Sequence, residues 1–283
     1  MKNLLLLLAL LFSSFSFAAD DSLANNMKPM RYKKRTEPVL NVALVYYGDY
    51  YKMEDLDRIQ PMLEERFFKG TGSALKMKVL YKAVIPFKHQ ISNYPEYTQP
   101  YVTDIERLQR LWYYDNVGAK VVQEVWELIR KNPQYGINLT TLDSVLVVSG
   151  AQFDALGFAS GRVAITENPR EIAWGLRDGG RVDYITDARV VDELLHEAGH
   201  TMFLDHTANQ CQKPGLSYQE QQECCALSPS KNDVMSYCRK RDQVNENFYF
   251  GYGECTQRII REKVIPAMLK GGNWNIANRE RCL

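Results

Sequence analysis

The chain is 283 residues long, with 35 basic and 34 acidic side chains, a net charge of +1 and 45% hydrophobic residues. That balance excludes a generally basic nucleic-acid-binding surface and a dependence on anionic membranes, and the length is enough for one large domain or two small ones with a full hydrophobic core. Three of the four histidines fall between positions 196 and 206, and all six cysteines lie beyond position 210, so the chemistry is concentrated late in the chain.

The beginning has the pattern of an export signal. Lys2 precedes an apolar run over residues 4–12, and Ser16, Ala18 and Ala19 supply small residues for cleavage after position 18 or 19. The run falls short of the roughly 20 apolar residues that a membrane span needs. The expected product is therefore exported, secreted or periplasmic, with no stable span after cleavage. No cysteine precedes Cys211, which excludes a lipoprotein signal. Residues 20–35, ending in Lys28-Pro-Met-Arg-Tyr-Lys-Lys-Arg35, read as a solvated basic arm or a short pro-segment.

Residues 38–50, an apolar β-branched run closed by Gly48-Asp49, open the folded part as a central strand. Residues 54–68 carry a helical pattern stopped at Gly70, and residues 76–86 form a second strand. Residues 91–100 are rich in tyrosine, proline and polar groups without a period, which marks a loop. A long helical pattern covers 102–130, broken near Gly118, and residues 143–149 are a third, buried strand. The segment 157–166 puts two glycines around a turn, followed by a short alternating strand over 162–166. Strands and helices alternating in this way predict an α/β fold, a mixed twisted sheet covered by helices.

Residues 187–195 are rich in helix formers, with Thr186 or Asp187 as cap. They run into His196-Glu197-Ala198-Gly199-His200-Thr201-Met202-Phe203-Leu204-Asp205-His206. One helical turn separates His196 from His200, so both imidazoles leave the same face with their roots about 6 Å apart. Two neutral imidazoles so placed can share one Zn²⁺, and the adjacent Glu197 can take a proton from water that the metal activates. Val191, Leu195, Ala198 and Met202 form a stripe roughly 130° to 160° around the helix from the two histidines. One side packs while the other binds metal, and His206 can join as third ligand only if the helix stops after His200.

Met235 follows His206 by 29 residues, within Asn232-Asp-Val-Met-Ser-Tyr237. Together these segments resemble the metzincin metalloproteases, whose motif His-Glu-x-x-His-x-x-Gly-x-x-His is followed by a tight turn containing methionine, the Met-turn. The resemblance implies a zincin-like fold, one catalytic Zn²⁺ held by His196, His200 and His206, and Glu197 as general base. It implies a secreted zinc-dependent endopeptidase acting on a peptide or protein substrate, expected as a monomer. Met235 would form an apolar floor beneath the histidines. Tyr237 stands where the astacin and serralysin branches carry a tyrosine near the metal, implying a ligand at rest that swings to hydrogen-bond an oxyanion. By the same resemblance, residues 162–166 would be the sheet edge with which an extended peptide pairs, and Gly48-Asp49 has an alternative reading as the aspartate switch of an astacin pro-segment. One position departs from the family. Phe203 replaces its glycine, and a left-handed backbone there costs a phenylalanine about 1–2 kcal/mol, so the turn is either strained or of another shape.

Six cysteines, at 211, 224, 225, 238, 255 and 282, read in an exported chain as three disulfides with fifteen possible pairings. The neighbours Cys224 and Cys225 are expected to bond to different partners. An N-terminal subdomain over 36–206, including the zinc helix, would be followed by a loop-rich C-terminal subdomain over 207–283 held by crosslinks more than by core. Its last helix is expected at 256–270, stopped by Gly271-Gly272. Two other readings stand. Glu220, 20 residues after His200, could be the carboxylate third ligand of a gluzincin-like zinc hydrolase, or the chain could be a zinc-retaining, non-catalytic binding protein, against which the intact Glu197 argues.

Overall fold

The structure, a computed structural model, describes residues 34–48, 52–86, 117–149, 157–167, 186–213, 215–240, 243–272 and 282. The export signal, residues 20–33 of the basic arm, Asp49, the loop at 91–100 and the part of the helical pattern at 102–116 lie outside these residues.

Strand β1 (Val39–Tyr47) sends Leu40, Val42, Leu44 and Tyr46 to one side and Ala43, Val45 and Tyr47 to the other, into two separate clusters of buried residues. A strand apolar on both faces belongs inside a sheet covered on both sides. It lies between β2 (Lys76–Ile85) and β3 (Ser144–Ser149), parallel to both. The hairpin of β4 (Gly157–Ser160) and β5 (Val163–Glu167) completes five strands in the order β2-β1-β3-β5-β4, with β5 parallel to β3 and only β4 reversed.

The hairpin corrects one expectation. The strand at 162–166, taken as the sheet edge, is interior: β5 pairs on both sides, and β4 is the edge among the described residues. Gly161, at φ 58°, makes the tight reversal between them. Two short arms joined by such a turn carry no local signal of which one docks against the sheet, because that is decided by pairing with β3.

Helices α1 (Met53–Gly70) and α3 (Asp187–Thr201) cover one face, and α2 (Val117–Lys131) covers the other. The stripe Val191, Leu195, Ala198 and Met202 is buried as expected, in the cluster that also takes Leu56, Ile59, Leu63 and Phe67 of α1. The opposite face of α3 is enclosed as well, since His196 and Glu197 are each only 4% exposed. Thr186 occupies the N-cap position without a side-chain capping bond, and Asp187 is paired with Arg58 of α1.

Arg35, the last residue of the basic run, is not a solvated charge. It pairs at 2.7 Å with Asp143, whose second oxygen accepts the Asn41 backbone N–H at 2.7 Å. Burial pushes the Asp143 carboxyl up, against the pull of Asn41 and Arg35. Arg35 thus anchors the start of the described region to Asp143.

Beyond residue 207, helix α4 (Tyr218–Leu227) buries none of its residues. It is pinned by Cys211–Cys224 and Cys225–Cys238, so the neighbouring cysteines do part to different partners. The later segments depart from the crosslinked-loop expectation. Val234, Met235, Phe250, Tyr252, Ile260 and Val264 share the core of α1 and α3. The last helical stretch runs as α5 (Glu254–Ile259), a π-helical turn (Ile260–Val264) and α6 (Ile265–Lys270), and it stops at Gly271 with φ 68°. The third disulfide, Cys255–Cys282, ties its start to the chain end. Among the described residues no helix is long and apolar enough to cross a membrane.

Candidate metal centre

Helix α3 ends at Thr201, one residue after His200, and the chain leaves it through a left-handed residue, Phe203, at φ 61°. The Phe203 N–H donates to the His200 carbonyl at 2.9 Å and the Leu204 N–H to the Gly199 carbonyl at 3.0 Å. These are the two bonds of a Schellman stop, which usually employs glycine. The phenylalanine side chain is 9% exposed and packs in the main core, which explains its presence at a backbone position that disfavours it. Phe203→Gly would relieve about 1–2 kcal/mol of backbone strain but forfeit burial worth about 3–5 kcal/mol. The expected result is a net destabilisation of about 2 kcal/mol, read from a denaturant midpoint; an increase in stability would mean that the packing contributes little.

The turn carries His206 back towards the helix, where the Met-turn receives it. Thr207 and Ser236 form a parallel β-bridge, and the Thr207 N–H donates to the Met235 carbonyl at 3.0 Å. Met235 is fully buried beneath the motif. A Cβ added at Gly199 would lie 2.3 Å from Met235 Sδ, so this helical glycine allows the floor to approach. Two supports were not visible in the sequence. Tyr252, buried, donates its hydroxyl to the Leu195 carbonyl at 2.7 Å. Asp233 accepts the Met235 N–H at 2.9 Å and the Thr256 hydroxyl at 2.5 Å, joining the Met-turn to α5.

The structure brings His196, His200 and His206 together, with one ring nitrogen of each within 4.8 Å of the others. Nε2 of His206 lies 3.1 Å from Nε2 of both His196 and His200. The outer nitrogens are engaged elsewhere: Nδ1 of His196 lies 2.7 Å from the Val234 carbonyl, Nδ1 of His200 lies 2.9 Å from the Leu204 carbonyl, and Nδ1 of His206 lies 2.7 Å from the Tyr237 hydroxyl. A carbonyl oxygen only accepts, so His196 and His200 carry their protons on Nδ1 and turn bare lone pairs inward. Lone pairs converging in this way repel unless a cation lies among them. Two ligands on a tetrahedral zinc, each at about 2.0–2.1 Å, stand about 3.3 Å apart, close to the spacing found. The donor set fits zinc.

Glu197 Oε1 lies 3.9 Å from His196 Nε2. A Cβ on Gly157, at the start of β4, would fall 2.3 Å from that same oxygen, so a larger residue there would displace the carboxylate from under the edge strand. Tyr237 meets His206 on its Nδ1 side, the side away from the three converging Nε2 atoms. Glu220 is not among the clustered groups. Its carboxylate accepts from the Ser217 backbone N–H at 2.7 Å and the Ser217 hydroxyl at 2.6 Å, and these bonds hold its pKa below the usual range. Ser217-x-x-Glu220 is a capping box at the start of α4, a spacing that was legible in the sequence and accounts for Glu220 without a metal. Gly48 donates its N–H to Ile85 as a continuation of the sheet.

No protein-family model and no curated protein matches the sequence. Among solved structures, the chain is similar to archaemetzincin from Methanopyrus kandleri, at 18% identity and a TM-score of 0.42, covering 83% of this chain and 98% of that one. It is also similar to metalloproteinase-II from Bacteroides fragilis, at 14% identity and a TM-score of 0.33, covering 72% of this chain and 60% of that one.

Proposed function

We propose that the protein is a secreted zinc-dependent endopeptidase of metzincin type, with His196, His200 and His206 as ligands and Glu197 as general base. The observation that carries this reading is the convergence of three Nε2 atoms, each with its outer nitrogen engaged, beside a buried carboxylate. Three protein ligands with a position left open suit catalytic zinc, whereas structural zinc sites are closed by four. When bound, the zinc supplies a Lewis acid that polarises water and the substrate carbonyl. Glu197 takes the proton released by the water and returns it to the leaving amine. Its burial under the β4 backbone holds the carboxylate in one orientation for both transfers. An extended peptide pairing with the β4 edge would run across this carboxylate.

Tyr237 is assigned the oxyanion. Because Nδ1 of His206 donates in the zinc-binding tautomer, the tyrosine hydroxyl accepts at 2.7 Å, and its own hydrogen is not part of that bond. The side chain is 37% exposed, so turning towards substrate displaces little packing. Tyr237→Phe is expected to lower kcat by roughly 10² to 10³ with KM almost unchanged. A normal kcat in the zinc-loaded variant, with zinc affinity lowered 10- to 100-fold, would instead restrict the hydroxyl to orienting His206.

The test of the whole reading is metal analysis of the purified protein combined with cleavage of a peptide library. One zinc per chain and peptide hydrolysis abolished by a chelator are expected. Protein carefully isolated without stoichiometric metal, or loaded with zinc yet inert on every peptide, would overturn it.

A further inference from the structure

Arg239, four residues after Met235, is a fully buried guanidinium, with none of its side chain exposed. Its Nε lies 3.2 Å from Oδ2 of Asp192 and its Nη2 lies 2.8 Å from Oε2 of Glu193. Both carboxylates sit on α3, one turn before His196. Nη1 faces the Met-turn, 3.4 Å from the Ser236 carbonyl, and rests 2.9 Å from Nδ1 of His196. Burial opposes the charge on Arg239, but Glu193 and Asp192 more than offset it, so the group remains cationic.

The contacts at Nδ1 of His196 are mutually exclusive as hydrogen bonds. That nitrogen either donates to Val234 or accepts from Arg239, and the inward-facing Nε2 decides for donation. With Nδ1 donating to Val234, Nη1 keeps a close 2.9 Å contact with that nitrogen, and the hydrogen bonds that fix the guanidinium are those to Asp192, Glu193 and Ser236. A planar group with five donors can meet two carboxylates and a carbonyl together, which a lysine ammonium cannot do in one fixed geometry.

We infer that Arg239 is a positioning residue for the metal centre: its guanidinium, spanning Asp192, Glu193 and the Ser236 carbonyl, locks the Met-turn to the zinc helix and fixes the ring of His196 against Val234. The inference rests on the metal-centre reading above. It adds a side chain that touches neither substrate nor metal and acts through a ligand. A partner shell of this kind is worth about 10- to 100-fold in metal affinity or activity.

The experiment compares wild type with Arg239→Lys, which keeps the charge and removes the fork. It measures zinc affinity by chelator competition, the visible absorption of the cobalt(II)-substituted protein, and kcat and KM on a cleaved peptide. Expected are a 10- to 100-fold loss of zinc affinity, a shifted cobalt spectrum reporting altered ligand geometry, and a lower kcat at similar KM. Where Arg239→Lys does not fold, Asp192→Asn/Glu193→Gln/Arg239→Met takes its place, since it leaves no buried charge unpaired, and the same losses are expected. A folded variant with wild-type zinc affinity and an unshifted cobalt spectrum overturns the positioning role while leaving the metal centre intact. A wild-type protein that takes up no zinc overturns both.

Discussion

Glu197→Gln is expected to keep its zinc and lose turnover by about 10² to 10⁴, the range of a removed general base. The substitution preserves shape, which matters because the carboxylate is 5% exposed at the side chain and lies under Gly157 of the edge strand. The three histidine nitrogens and their outer partners are untouched, so metal content should equal that of wild type. On the proposed mechanism what disappears is the proton acceptor beside the metal site, and an amide cannot replace it. Zinc content and kcat measured on one preparation decide the matter. Peptide cleavage at the wild-type rate would remove Glu197 from the mechanism, and loss of zinc would mean that the carboxylate helps to hold the site together.

The second large effect separates the two candidate third ligands. His206→Ala should weaken zinc binding on the order of 10³-fold, because a binding energy of about 10–16 kcal/mol is divided among few ligands. Glu220→Ala should leave affinity near normal, since its carboxylate is held by Ser217 at the start of α4. Only a small loss of helix capping is expected there. The reverse pattern in a chelator competition would favour the carboxylate-ligand reading and leave the inward turn of His206 without a purpose.

The parts of the molecule legible in the sequence are those whose cause is local. The buried strands β1 and β3 announce themselves as apolar runs, and the stripe on α3 follows from the 3.6-residue period. The helix must stop where a third histidine is to reach the other two, and it does so at Thr201. The rest depends on partners far along the chain. Arg35 ends a basic run and looks solvated, but its anchor Asp143 lies 108 residues away. Arg239 sits in the polar stretch Cys238-Arg-Lys-Arg-Asp242, and its carboxylates are 46 and 47 residues upstream. Neither has a pattern that separates it from a surface charge. Phe203 was legible as a conflict but not as its resolution: the glycine-like turn forms, and the cost is offset by a ring whose packing no local rule reveals.

The crosslinks around α4 carry a consequence for how the chain matures. Cys211–Cys224 and Cys225–Cys238 each close a loop of sequence separation 13, and the central two cysteines are neighbours. Exchanging partners to Cys211–Cys225 and Cys224–Cys238 changes each separation only from 13 to 14, which alters loop-closure entropy by less than about 0.1 kcal/mol. Before the Met-turn docks, an oxidising chain has no statistical reason to prefer the native pair over its shuffled isomer. α4 buries none of its residues and so offers little packing to arbitrate. Selection must come from the segments at the two ends of the ladder, Thr207 bridged to Ser236 and Met235 seated under Gly199. Thiol exchange that remains possible until those contacts form lets the native pairing be selected, and a newly made chain that is oxidised quickly and then deprived of exchange should contain the shuffled isomer beside the native one, equal in mass, separable by chromatography and lacking the Cys211–Cys224 link.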